Sequence, residues 1–99
     1  MSDVAKALSS QRRQQVLRWL VDPVANFPAQ HTGDLVKDGV CVGYIADKLG
    51  IAQPSATSQM KILQEAGLVQ STRIAQWTFY RRDEAGIVKA RSELSALLD

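Results

Sequence analysis

The sequence predicts a mainly α-helical domain that carries one small β-hairpin, in the order α-α-α-α-β-β-α. Three observations predict it. Apolar residues recur at three- and four-residue spacing in four separate segments, and proline or glycine marks most of the boundaries between them. Partial period-two alternation, the mark of a strand, is confined to residues 68–81. At 99 residues the chain fits one domain spanning 1–99 with a single modest core.

The elements follow in order. A short helix is expected over 3–8. Ser9 and Ser10 are candidate N-caps for the next helix, over 10–21, because a hydroxyl there accepts from the free N–H groups of a first turn. Val16, Leu17, Leu20 and Val21 share one stripe of that helix, with Arg12, Arg13, Gln14 and Arg18 largely off it. Asp22-Pro23 ends it, since the residue before proline disfavours helix. Residues 22–39 hold two prolines and two glycines and read as a long connection with room for one helical turn. Val42, Ile45, Ala46 and Leu49 form a second amphipathic stripe that closes at Gly50. Pro54 suits the first turn of the following helix, which runs to about Ala66 with Ala56, Met60, Ile62 and Leu63 inward. Strands are expected over Leu68–Thr72 and Trp77–Arg81, with Arg73 to Gln76 as the turn. Trp77 and Phe79 share a strand face that pins the hairpin to the core. A last helix covers Glu84 to Leu98.

The composition, 45% hydrophobic and 22% charged, is that of a globular chain. No apolar run approaches the roughly 20 residues that cross a bilayer. Met1 to Leu8 lacks a basic stretch followed by an apolar block, so no secretory signal is expected. With Cys41 as the single cysteine, no disulfide can form within the chain, and a cytoplasmic location is expected. The net charge of +2 is small, but its distribution is uneven. Lys6, Arg12, Arg13 and Arg18 face only Asp3 within residues 1–21, and Lys61, Arg73, Arg81 and Arg82 face only Glu65 within 52–82. Two basic blocks can make one basic face, for which nucleic acid is the natural partner.

Val42 to Ala66 has helix-turn-helix proportions: a short helix, a tight link and a second helix. The first turns of that second helix show Gln53, Ser55, Ser58 and Gln59 rather than charges. Glutamine amides pair with adenine edges, serine hydroxyls bond bases or phosphates, and Lys61 further along suits a phosphate. An ordinary solvated polar face would look the same. The hairpin directly after it, with Arg73 and Gln76 in its turn, favours the nucleic-acid reading, with Tyr80, Arg81 and Arg82 beside the backbone contact.

Residues 46–69 run from Ala46-Asp47-Lys48-Leu49-Gly50 through Pro54-Ser55-Ala56-Thr57-Ser58 to Lys61-Ile62-Leu63-Gln64-Glu65-Ala66-Gly67-Leu68-Val69. This resembles the signature of the ArsR/SmtB winged helix-turn-helix repressors. Gln76-Trp77-Thr78-Phe79-Tyr80-Arg81 is similar to the family's wing strand, and Leu8 to Leu20 to its arginine-bearing second helix. Ala52 departs from the pattern, standing where a capping serine is usual. The resemblance implies a homodimeric repressor that binds double-stranded operator DNA and releases it when an effector binds. It implies that Gln53, Ser55, Thr57, Ser58, Gln59 and Lys61 face DNA, with Arg73 and Gln76 on the wing. It also implies a dimer interface on the first and last helices, where Ile87, Ala90, Leu94 and Leu97 form the stripe expected of a helical seam.

Many members of that family sense thiophilic metals through a Cys-x-Cys pair or through ligands on the last helix. Here the pair reads Cys41-Val42-Gly43, and residues 83–99 contain no histidine. A tetrahedral site needs about four ligands, which only pooling of Cys41 and His31 from two chains, helped by Asp34 or Asp38, would approach. Neither a metal nor any other cofactor is expected. Cys41 reads either as a small buried hydrophobe or as a redox sensor activated by a helix N-terminus. With one His, one Cys and no glycine-rich phosphate loop, no catalytic set is assembled. The competing reading is a winged-helix protein-interaction module, which would show an apolar patch on the second helix.

Overall fold

A computed structural model describes residues 2–99. Helices α1 (Asp3–Leu8) and α2 (Gln11–Trp19) open the chain, each begun by a serine whose hydroxyl accepts from a first-turn amide: Ser2 from Ala5 and Ser10 from Arg13. Of the two candidate caps for α2, Ser10 is the one used. Ser9 instead closes α1, its hydroxyl donating to the Lys6 carbonyl at 2.7 Å. Asp22 then caps a one-turn helix, α3 (Pro23–Asn26).

The connection expected to be irregular is tied down by side chains. Asn26 donates to the carbonyls of Trp19 and Asp22. Phe27 is buried edge-on against Trp19, and the Lys48 ammonium lies over both rings. Further on, the Asp34 carboxylate accepts from the amides of Val36 and Lys37, and these bonds hold its pKa below the usual range.

The connection ends in a strand that sequence reading missed. β1 (Val40–Cys41) pairs antiparallel with β3 (Trp77–Arg82), which pairs in turn with β2 (Val69–Ile74), giving the order β1-β3-β2. Two residues are too few to show a period, which is why the expected pair of strands becomes three. β1 sits at Val40↔Tyr80 and Cys41↔Phe79. Its outer edge is occupied by the Gln30 amide, which accepts from the Cys41 N–H at 2.6 Å and donates to the Gly39 carbonyl at 3.0 Å. One side-chain amide thus does the work of a neighbouring peptide.

The hairpin is also longer than expected. Ile74 pairs with Trp77, so only Ala75 and Gln76 form the turn, and Arg73 lies in β2 opposite Thr78 rather than in the loop. Phe79 is 1% exposed and anchors the sheet, whereas Trp77 is 41% exposed. Trp77 therefore does not pin the hairpin as expected, because it stands at the tip, two residues beyond the reach of the core. Gly33, at φ +78, crosses the Phe79 ring so closely that a Cβ there would stand 2.8 Å from it.

Helix α4 (Val42–Leu49) ends at Gly50 in the left-handed conformation, and α5 (Gln53–Glu65) follows after two residues. Helix α6 (Glu84–Leu98) begins at an Asp83 cap. The core draws Val16 and Leu17 from α2 with Leu20 at its C-cap, Ile45 and Ala46 from α4, and Ala56, Met60 and Leu63 from α5. Burial of each large aliphatic side chain is worth about 1.5–3 kcal/mol. Ile87 and Ala90 join this core, so half of the expected dimer seam is spent inside its own chain.

Candidate nucleic-acid interface

With Ala56, Met60 and Leu63 turned inward, helix geometry decides what α5 offers outward. Gln53, Thr57 and Lys61 follow one another at four-residue spacing along one edge of its outer face. Ser55 and Gln59 do the same along the other edge, with Ser58 between. Gln53, Ser55, Ser58 and Lys61 are exposed, while Thr57 and Gln59 are half-buried. Ser58 donates its hydroxyl proton to the Pro54 carbonyl at 3.1 Å, which leaves its oxygen free to accept. Ala52 supplies no side-chain cap, so the first amides of α5 remain available to an outside acceptor, as the open N-terminus of a helix favours anions. None of the large exposed hydrophobic residues, which include Val21, Val24, Val36 and Trp77, lies on α5.

The hairpin is joined to this helix by the Gln64 amide, which donates to the Ser71 hydroxyl of β2 at 3.1 Å. Arg73 and Gln76 are both exposed near the hairpin tip, where the Arg73 guanidinium bends back to donate to the Ala75 carbonyl. Arg81 is exposed as well. Its two neighbours are not available as expected. Tyr80 is buried, which raises its phenol pKa. Arg82 is paired with Glu84 at 2.7 Å and donates to the Leu17 carbonyl.

Sequence reading also misplaced Arg13. It lies on the buried stripe of α2 with Val16 and Leu17, continued by Leu20 at the cap, is 9% exposed, and donates to the Gln59 side-chain oxygen at 2.7 Å. The signal was present: positions 13, 16, 17 and 20 are spaced as one helical face, and a charge on such a face needs buried partners.

Cys41 is a half-buried free thiol. It lines a cavity of about 210 Å³ together with His31, Tyr44, Trp77 and Phe79. Asp34 and Asp38 are engaged within the 34–38 turn, where Asp38 accepts from the Asp34 amide at 2.8 Å and Asp34 from the amides of Lys37 and Val36. Among the described residues no group of three or more His, Cys, Asp or Glu side chains is placed to hold a metal ion. No described helix is long and apolar enough to cross a membrane. On α6, Leu94 is half-buried, and Val88, Leu97 and Leu98 are exposed.

No protein-family model matches the chain. A relative in Bacillus subtilis (strain 168), an uncharacterized HTH-type transcriptional regulator called YbzH, is 46% identical over 88 residues, covering 88% of this chain and 87% of that one. The transcriptional repressor BigR from Xylella fastidiosa superimposes with a TM-score of 0.58 at 28% identity, over 96% of this chain and 79% of that one. The homodimeric winged helix-turn-helix domain of Mb0332 from Mycobacterium bovis, a possible ArsR-family regulator, gives a TM-score of 0.62 at 24% identity, over 95% and 75% of the two chains. A polar second helix on a winged scaffold, and near-half identity to a helix-turn-helix regulator along most of both chains, place this protein among the helix-turn-helix transcriptional regulators, with the winged fold that ArsR-type neighbours share.

Proposed function

We propose that the protein is a cytoplasmic homodimeric repressor that reads an imperfect palindrome through two copies of α5. The half-sites would lie about one helical turn apart, roughly 34–36 Å. The observation that carries this reading is the outer face of α5: glutamine, serine, threonine and lysine along its length, with its large apolar residues turned inward. That face also speaks against a protein-interaction module, which needs an apolar patch there. Gln53, Ser55, Thr57, Ser58, Gln59 and Lys61 contact bases and phosphates, and Arg73 and Gln76 contact the flanking backbone from the wing. The dimer forms on α1 and α6, through Leu94 and Leu97 with Leu98 beside them. Ile87 and Ala90 support that surface from beneath.

Release follows the binding of an effector or a redox change, and Cys41 is the one thiol such a change can address. Peroxide would then weaken DNA binding by the native protein and leave a Cys41→Ser protein unaffected.

Titrating the full chain against its own upstream intergenic DNA tests the reading. Lys61→Ala is expected to weaken binding equally on all sequences and to lower the slope of log affinity against log salt by about 1. Full operator affinity of Gln59→Ala or Arg73→Ala at physiological salt would overturn the residue assignments.

A further inference from the structure

Arg13 stands at the junction of α1, α2 and α5, and three of its guanidinium nitrogens are engaged there. Nε donates to the Ala7 carbonyl at 2.8 Å and Nη2 to the Lys6 carbonyl at 3.0 Å. Both carbonyls belong to the last turn of α1, and that of Lys6 also accepts from the Ser9 amide and hydroxyl. Nη1 donates to Oε1 of Gln59 at 2.7 Å. The group is therefore held by the backbone of α1 before it meets the side chain on α5.

A guanidinium carries only donors, so the end of the Gln59 amide that faces it must be the oxygen. The amide nitrogen is then the end left for an outside partner. A freely turning glutamine reads adenine by accepting from N6 and donating to N7 with both ends of the amide facing the base. Gln59 cannot offer that pair while its oxygen is turned into the α1–α2–α5 junction. We propose that Arg13 is a positioning residue that presets the Gln59 amide, so that α5 presents a lone donor to the base edge at this point. Such a donor selects acceptors in the major groove: guanine O6 and N7 or thymine O4 ahead of adenine, whose N7 stands beside an amino donor that the turned-away oxygen no longer receives, and it disfavours the amino group of cytosine. The inference rests on the DNA-reading role given to Gln59 above.

The test is selection from a pool of random-sequence DNA duplexes by the full-length protein and its variants, with far-UV circular dichroism to check folding. Gln59→Ala should relax preference at one symmetric pair of operator positions, where the native protein selects guanine or thymine. Arg13→Met should alter preference at those same positions and leave the others intact. Gln59→Glu, a change on the helix surface, keeps an acceptor for Arg13 but offers no donor, and should shift those positions towards cytosine or adenine. If Arg13→Met does not fold, Arg13→Lys and Gln59→Glu carry the same comparison. Native preference in the Arg13 variants at positions that Gln59→Ala relaxes would overturn the positioning role. So would a native preference for adenine there. If Gln59→Ala relaxes no position, the DNA-reading role of Gln59 itself fails, and the proposal falls with it.

Discussion

Asp83 shows how much a single carboxylate carries at the base of the last helix. It accepts from the Gly86 amide at 2.9 Å. That bond first, then the Gln70 side chain and the charge of Arg81, hold its pKa below the ordinary 3.8. A folded-state pKa depressed in this way stabilises the fold above the unfolded value, and the contribution fades as pH falls through the folded one. Asp83→Asn keeps an oxygen for the cap but removes the titration. Its stability should differ from native by less than about 1 kcal/mol near neutrality, since the site is solvent-screened. The deficit should shrink as the native protein loses its own advantage below about pH 4, which urea midpoints across that range would show. The same scale marks where sequence reading succeeds and fails. Ser10 and Asp22 act within three residues of their own positions, so their capping roles are local. The bond from Arg13 to Gln59 spans 46 positions, and only the helical phase of residue 13 hinted at it.

At the scale of elements, the strongly periodic segments come out within a residue or two of their expected bounds, because apolar spacing dictates which face packs. β1 was not legible for a different reason. Its place depends on the Gln30 amide, on Gly33 passing over the Phe79 ring, and on Gly39, whose added Cβ would strike the Tyr80 carbonyl. Such contacts join parts of the chain that share no pattern. Gln30→Ala removes both bonds to the edge of β1 and should cost about 1–2 kcal/mol. Hydrogen exchange at the Cys41 amide should accelerate more than exchange in α5, and the Cys41 thiol should react faster with a soluble disulfide. Equal acceleration in both places would mean that Gln30 acts on global stability alone.

Across the whole molecule, the apolar residues left outside the core are unevenly placed: Leu97 and Leu98 extend the α6 face of Ile87, Ala90 and Leu94 past the end of the core, and Val88 is exposed elsewhere on the same helix. The seam read from sequence held Ile87, Ala90, Leu94 and Leu97. Periodicity identified the helix face correctly as apolar but could not divide it between the chain's own core and a second copy, because one stripe serves both. If two copies join there, dissociation is coupled to unfolding and the melting temperature depends on concentration. Melting at two concentrations about tenfold apart should differ by several degrees for the native protein. Leu97→Asp should abolish the difference and elute as a monomer, and a native melting temperature independent of concentration would refute the seam.

The Gln30 amide has one more consequence, at the border between molecules. An unpaired strand edge invites the backbone of another chain, and proteins that expose one risk open-ended stacking. On the β1 side that invitation is withdrawn, because the Cys41 N–H and the Gly39 carbonyl already hold their partners. On the β2 side the exposed charge of Arg73 stands on the remaining edge strand. With both margins of the sheet guarded, the proposed pairing through the helices meets no competing strand edge, and a two-fold contact of that kind closes after two copies.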